Sequence, residues 1–198
     1  MQSQSHTRNV ILASSSPYRK LLLQRLHLDF SVHSPAIDER PLDQESPEHL
    51  VTRLAQEKSG AISSQYPAAI VIGSDQVAVF ENKVVGKPGN SENAVRQLQQ
   101  FSGKRVQFLT AVRLCCAVDD FDAGAMVTTE VDFRVLSDEE IRRYVKTDQP
   151  MDCAGGFKSE AAGISLLKSM HSEDPTAIIG LPLIAVSALL RQAGFRLP

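Results

Sequence analysis

Residues 68–80, AAIVIGSDQVAVF, form an almost unbroken apolar and β-branched run. That is the pattern of a strand covered on both faces, and it predicts a place at the centre of a sheet. Asp75 stands inside the run. A carboxylate in so apolar a strand has to be paired, hydrogen-bonded or bound to a metal, since burying it alone costs several kcal/mol. An aspartate ending a strand at a turn is the plainer alternative, but the apolar pattern resumes at once with Val77, Ala78 and Val79. Gly73, two residues earlier, leaves room for another group to come close to the backbone.

Nearer the start, ILASSSPYRKLLLQRL places three serines between an apolar run and a basic, leucine-rich one. Val10 to Ala13 reads as a short buried strand, Ser16 as a helix N-cap, Pro17 as the first helical residue, and Leu22 and Leu26 as the buried stripe. That reading uses one serine. A strand-to-helix turn also offers unpaired backbone N–H groups and the positive end of a helix dipole. Ser14, Ser16, Arg19 and Lys20 would add donors and turn the triplet into a phosphate cradle. A second helix is predicted over SPEHLVTRLAQEKSGAI, with Ser46 as N-cap, Pro47 first, and Leu50, Val51, Leu54, Ala55, Ala61 and Ile62 as its apolar stripe. Lys58 falls on that stripe. It either snorkels to water near the helix end or brings its ammonium to an anion.

The chain has 198 residues, of which 42% are hydrophobic, enough to bury the core of one domain, residues 9–198, arranged in two lobes. Residues 1–8 read as a disordered tail. A formal charge of −2 argues against broad binding of nucleic-acid polymers, which relies on a basic surface. No apolar run approaches the length of a membrane span and the first ten residues lack the apolar core of a secretory signal, so a cytoplasmic protein without a membrane partner is expected. Cys115, Cys116 and Cys153 show no metal-ligand spacing, and the five histidines (His6, His27, His33, His49, His171) form no HExxH or paired arrangement. Zinc chemistry and a histidine-based nucleophile find no support.

Further along, DFSVHSPAIDERP reads as a strand running into an acidic loop, and ENKVVGKP turns the central strand back as a hairpin. NSENAVRQLQQFSGK is a helix capped at Asn90 or Ser91 and closed by Gly103. RVQFLTAVRLCCAV and MVTTEVDFRVL fit a connected antiparallel pair, the second alternating through Val127, Thr129, Val131, Phe133 and Val135. A helix starts at Ser137, whose partner Glu140 completes a capping box. DCAGGFKSEAAGISLL is a Gly-rich loop feeding a strand, and LPLIAVSALLRQAG is the last helix, with Pro182 at its start and Gly194 after its end. Alternating strands and helices followed by long antiparallel strands predict an α/β protein with a mixed, twisted sheet.

Asp38 and Glu39 form a second acidic cluster on a loop, and Lys87 lies between Gly86 and Pro88. Taken singly, each reads as a solvent-facing charge. Phosphate chemistry needs cations for the phosphates, carboxylates for a divalent cation and a base for water, and all three kinds lie near strand ends. Neither GxxxxGK[ST] nor GxGxxG is present, so a P-loop or dinucleotide mechanism is not expected.

The order LASSSPYRKLLL, IDE, RLAQEKS, IGSDQV, GKP, CAGGFKSEAAGI, GLPL resembles the Maf family of nucleotide pyrophosphatases over nearly the whole chain. The resemblance implies a two-lobed fold with a central cleft, likened to that of the inosine triphosphatases, and hydrolysis of a nucleoside triphosphate to monophosphate and pyrophosphate with a divalent metal, Mg²⁺ or Mn²⁺. It implies Asp75 as proton acceptor, Glu39 and Asp75 as metal ligands, and Ser14, Ser16, Arg19, Lys20, Lys58 and Lys87 on the phosphates. A small-molecule nucleotide is the implied partner, with a homodimer as a family-level expectation. Tyr18, Gln76 and Glu160 stand where the branch acting on dTTP and UTP has arginine, threonine and glutamine. They resemble the branch hydrolysing 7-methyl-GTP, in which tryptophan is usual at the Tyr18 position. An aromatic face can stack on a cationic base, and a carboxylate can accept from the N1 and N2 edge of guanine. The plainer alternatives are a partly exposed Tyr18 and a Glu160 paired to Lys158. The competing functions are a pyrimidine or broad-specificity pyrophosphatase and a nucleotide-binding regulator of septum formation.

Overall fold

The computed structural model describes residues 8–198. The expected tail, residues 1–8, lies outside the described residues except for Arg8. That residue is anchored, pairing with Asp119 at 3.0 Å and donating to the Ala193 carbonyl at 3.0 Å. Strand β1 (Val10–Ala13) is buried throughout and leads into helix α1 (Pro17–Gln24), with Ser16 as N-cap and Pro17 first, as predicted. Strand β2 (Phe30–His33) follows, then helix α2 (Pro47–Ser63), β3 (Ile70–Phe80), β4 (Lys83–Val85) and α3 (Ser91–Phe101), capped by Asn90. The long pair β5 (Arg105–Cys116) and β6 (Phe121–Phe133), α4 (Asp138–Asp148) with its capping box, β7 (Leu167–Ser172) and α5 (Leu183–Gln192) complete the described residues.

The strands form one mixed sheet in the order β2-β1-β3-β5-β6-β7, with β4 also on β3. Strand β1 runs parallel to β2 and β3; the other pairs are antiparallel. The apolar run is therefore internal, and it is buried along nearly its whole length. On one side β3 pairs with β5 from Val71 to Val79. On the other it pairs with β1 only up to Gly73 and with β4 only from Ala78. Residues 74–77 lie in the gap between them, at the carboxyl end of β1, where open α/β sheets place their crevices.

Side-chain alternation assigns the two faces of β3 different neighbours. Ile70 and Ile72 pack with Leu22 and Leu23 of α1 and Val186 and Leu190 of α5. Ala78, on the same face, joins a second cluster with Leu98, Phe101, Ile141 and Phe157. Val77 and Val79 face Leu50, Val51 and Leu54 of α2. Each such buried aliphatic side chain contributes about 1.5–3 kcal/mol, less the entropy of ordering it. Leu26, past the end of α1, and Ala61 are only half-buried, and one predicted position fails outright: Val135 is 82% exposed. A register shift between Asp132 and Phe133 ends the ladder there, so the alternation does not carry on past Phe133.

Gly73 sets the distance between α2 and β3. A Cβ at this position would lie 2.3 Å from the Ala55 carbonyl oxygen and 2.6 Å from the Ser59 nitrogen, both backbone atoms of α2. The group that approaches the backbone here is thus a whole helix. Gly73→Ala is expected to push α2 outward and lower stability by about 1–3 kcal/mol. Urea unfolding would show this as a lower midpoint with an unchanged slope, and an unaltered midpoint would contradict the close contact.

Candidate active site

Because α2 rests directly on β3, its apolar stripe carries Lys58 to the strand. Lys58 is 5% exposed and Asp75 is 7% exposed. The Lys58 ammonium donates to Asp75 Oδ1 at 2.6 Å and lies 2.9 Å from Glu39 Oε1. Of the two alternatives for Lys58, meeting an anion is the one observed. The aspartate in the apolar strand is paired, as its burial demanded. One ammonium therefore stands between two carboxylates, one from the central strand and one from the loop before α2.

These residues line a cleft of about 490 Å³, together with Ser14, Ser16, Tyr18, Arg19, Gln76 and Lys87. The volume falls in the usual range for small-molecule sites. Ser14 is 3% exposed, and its Oγ accepts from the Ser16 amide at 3.1 Å and from Arg19 Nη1 at 3.4 Å. Ser16 Oγ accepts from the Arg19 amide as the helix cap. Arg19 Nε donates to the Gly180 carbonyl at 2.8 Å, which aims the guanidinium into the cleft and leaves other N–H donors for a ligand. Burial pushes the Arg19 pKa below its usual value, and the charges of Asp75 and Glu39 oppose that shift. The first turn of α1 contains no acidic residue, so its N–H groups and dipole add positive potential on the same side. Lys87 reaches the cleft from the segment after β4, which is tied to the Gly-rich loop through Gly86 and Gly155.

Two candidates are not brought in. Lys20 is exposed and outside the cleft, because one residue of helix turns it away from the face that carries Arg19. Glu160 is exposed, does not line the cleft, and meets only the Ser159 hydroxyl, at 3.5 Å, among the described residues. Nor is it paired to Lys158, whose ammonium donates to the carbonyls of Asp148 at 2.9 Å and Gln149 at 3.4 Å. That ammonium also lies 5.5 Å from the centre of the Tyr18 ring, so one face of the aromatic platform already carries a cation. Gln76 lines the cleft but uses its Nε2 on Thr110 Oγ1 and on the carbonyls of Ala177 and Ile178, at 2.8–3.0 Å.

Several positioning residues gave little signal in sequence. Gly180, in the GLPL segment, holds Arg19 through its carbonyl, which also accepts from Ser74 Oγ at 3.0 Å. Its φ of +119° is conformational space that favours glycine. Asp174, buried and distant from any predicted cap, accepts from the Ile184 and Ala185 amides at 2.7 and 3.4 Å and so caps α5, whose flanking Pro182 has no side-chain cap.

Glu39 and Asp75 are the carboxylates that share one spot in the cleft and could offer oxygens to a metal; Asp152 also lines the cleft. Among the described residues no group of three or more His, Cys, Asp or Glu side chains is placed to hold one. Two carboxylates around a spot that already attracts an ammonium fit a hard divalent cation whose remaining ligands are water and phosphate oxygens, the habit of Mg²⁺. Burial raises the Glu39 pKa, but the hydrogen bond and charge of Lys58, with the charges of Lys87 and Arg19, outweigh it and leave the carboxyl below its ordinary value of 4.5.

A mixed sheet with a gap beside its central strand, lined by cations, a helix N-terminus and carboxylates that meet one of those cations, defines a site suited to a small phosphate-bearing ligand. The family model described as Maf-like protein matches residues 9–193. A 7-methyl-GTP pyrophosphatase from Xanthomonas campestris pv. campestris is 51% identical over 189 residues, 96% of this chain and 98% of that protein. One from Polaromonas sp. is 48% identical over 191 residues, 96% of this chain and 87% of the relative. The crystal structure of protein VC0702 from Vibrio cholerae aligns with a TM-score of 0.49 at 10% identity, over 96% of this chain and 99% of that one. The chain belongs to the Maf family.

Because the Glu39 pKa is lowered on folding, its pairing stabilises fully above 4.5 and is lost as the pH falls through the lowered value. The gap in thermal midpoint between wild type and Glu39→Gln is expected to be constant above 4.5 and to shrink as the pH falls below it. A gap that widens on acidification would show that Glu39 is not paired as described.

Proposed function

We propose that this chain is a nucleoside triphosphate pyrophosphatase that hydrolyses 7-methyl-GTP to 7-methyl-GMP and pyrophosphate by attack of water at the α-phosphate. The carrying observation is the buried Asp75 carboxylate in contact with the Lys58 ammonium, inside a cleft that also holds Arg19 and Lys87. The activity for which the relatives are named supports the same reading. A divalent cation held by Glu39 and Asp75 would supply charge neutralisation at the phosphates. Ser14, Arg19, Lys58, Lys87 and the N-terminus of α1 grip the phosphates and stabilise the negative charge that leaves with pyrophosphate. Asp75 accepts the proton of the attacking water. Lys58 moves its ammonium from the carboxylates to phosphate oxygens when the nucleotide enters, which frees Asp75 to act as base.

Tyr18 supports a preference for the methylated base, because a cationic 7-methylguanine is attracted to an aromatic face. Lys158 covers one face, so the base stacks on the other. Glu160 contributes to base choice only if the Gly-rich loop moves it inward.

Pyrophosphate release from 7-methyl-GTP, GTP, dTTP and UTP, each with Mg²⁺ and with Mn²⁺, tests the assignment. The expected result is fastest turnover of 7-methyl-GTP and a loss of about 10²–10⁴-fold in Asp75→Asn. Equal turnover of all four nucleotides would refute the base preference, and tight binding with no turnover would favour the regulator reading. Independently of turnover, Lys58→Met removes the ammonium from between two carboxylates. Nucleotide-free protein carrying this change is expected to bind Mn²⁺ more tightly than wild type in a calorimetric titration, and weaker binding would show that the pair does not serve a metal.

A further inference from the structure

Of the two carboxylates that meet Lys58, Glu39 is the more exposed. Its side chain is 55% exposed and it stands in the thirteen-residue connection between β2 and α2. Exposed ion pairs contribute little by themselves, so contact with Lys58 does not explain why the carboxylate stays at the cleft. The connection is held elsewhere, by Arg53 of α2. Arg53 Nε donates to Glu45 Oε1 at 2.6 Å and Nη2 to Glu45 Oε2 at 2.8 Å, a two-pronged pair. Nη2 also donates to the carbonyl of Arg40, the residue next to Glu39, at 3.2 Å. Nη1 is shared by the two oxygens of Glu57, one helical turn on, at 3.1–3.2 Å. Glu45 in turn accepts from the Leu42 amide at 3.0 Å, which ties the backbone of the same connection. The hydrogen bond from Arg53 holds the Glu45 pKa down to about 2.

We infer that Arg53 is a positioning residue: the guanidinium clamps residues 40–45 to α2, and through the Arg40 carbonyl it fixes Glu39 opposite Lys58. Arg53 and Lys58 stand on one rigid helix, so the clamp sets the spacing between the ammonium and the loop carboxylate without touching the ligand. The planar fork is required. An ammonium cannot make the paired contact with Glu45 and also reach Arg40 and Glu57.

This inference rests on the pyrophosphatase reading of the cleft, and the test separates the two. Arg53→Met, Arg53→Lys and Glu45→Gln are made in the wild-type background and in Glu39→Gln, with 7-methyl-GTP turnover and backbone hydrogen exchange of residues 36–45 measured in each. Arg53→Met and Glu45→Gln are each expected to lower kcat/KM by about 10–100-fold, as loss of an outer partner of a functional carboxylate does. Arg53→Lys should recover only part of that loss. In Glu39→Gln the same changes should cost less than about threefold more, since the residue they position is already disabled. Exchange of residues 36–45 should quicken in every clamp variant while the thermal midpoint stays above the assay temperature. Losses that multiply fully in the Glu39→Gln background, or unchanged exchange over residues 36–45, would overturn the clamp. Absence of turnover in wild type would overturn the pyrophosphatase reading alone, because the exchange measurement still decides whether Arg53 holds the loop.

Discussion

The contact between Lys58 and Asp75 organises this protein. Two oppositely charged groups, each less than a tenth exposed, lie 2.6 Å apart between a helix and the central strand. Such a pair is not a cheap source of stability: its mutual attraction is set against the desolvation of both ions, and removing either partner leaves the other buried and uncompensated. Its presence is better explained by what the ions do in a cleft. The pairing depends in turn on a missing side chain, because only glycine at position 73 allows the α2 backbone close enough to bring Lys58 within reach.

The cleft is formed by an interruption of hydrogen bonding rather than by a loop laid over the sheet. Between the end of β1 and the start of the β4 pairing, residues 74–77 keep their β5 partners and lose their partners on the other side. The opposite face of the same stretch is tied down. Ser74, Gln76 and Thr110 all donate to carbonyls of residues 177–180, and Asp174 caps the helix that follows. A strand fixed on one face and open at one edge presents Asp75 rigidly to a ligand, and the segment that fixes it also supplies the carbonyl that orients Arg19.

Local signals were strong where a residue's effect stays within a few positions. The caps at Ser16, Ser46 and Ser137, Pro17 and Pro47 at the first helical positions and the apolar stripe of α2 all act within one or two turns of helix, and each is found as read except that Ala61 is only half-buried. The misplaced positions share another cause. Val135 continued an alternation that a register shift had already ended. Lys20 is next to Arg19 in the chain, but one step along a helix changes the face. Gly180 and Asp174 matter through partners that no local pattern identifies, and so does Arg53 in its contacts with Glu45 and the Arg40 carbonyl.

The amino-acid sequence alone determined that residues 68–80 would be a central buried strand and that Asp75 inside it required a partner, because apolar periodicity and the desolvation of a carboxylate depend only on composition and order. It also marked Lys58 as a cation on an apolar stripe. Which anion that lysine meets, which edge of β3 stays open, and whether Glu39 faces inward were decided by tertiary structure. Each depends on how closely α2 approaches the sheet and on a clamp between residues eight positions apart. Such distances follow from packing the whole chain, and no window of neighbouring residues contains them.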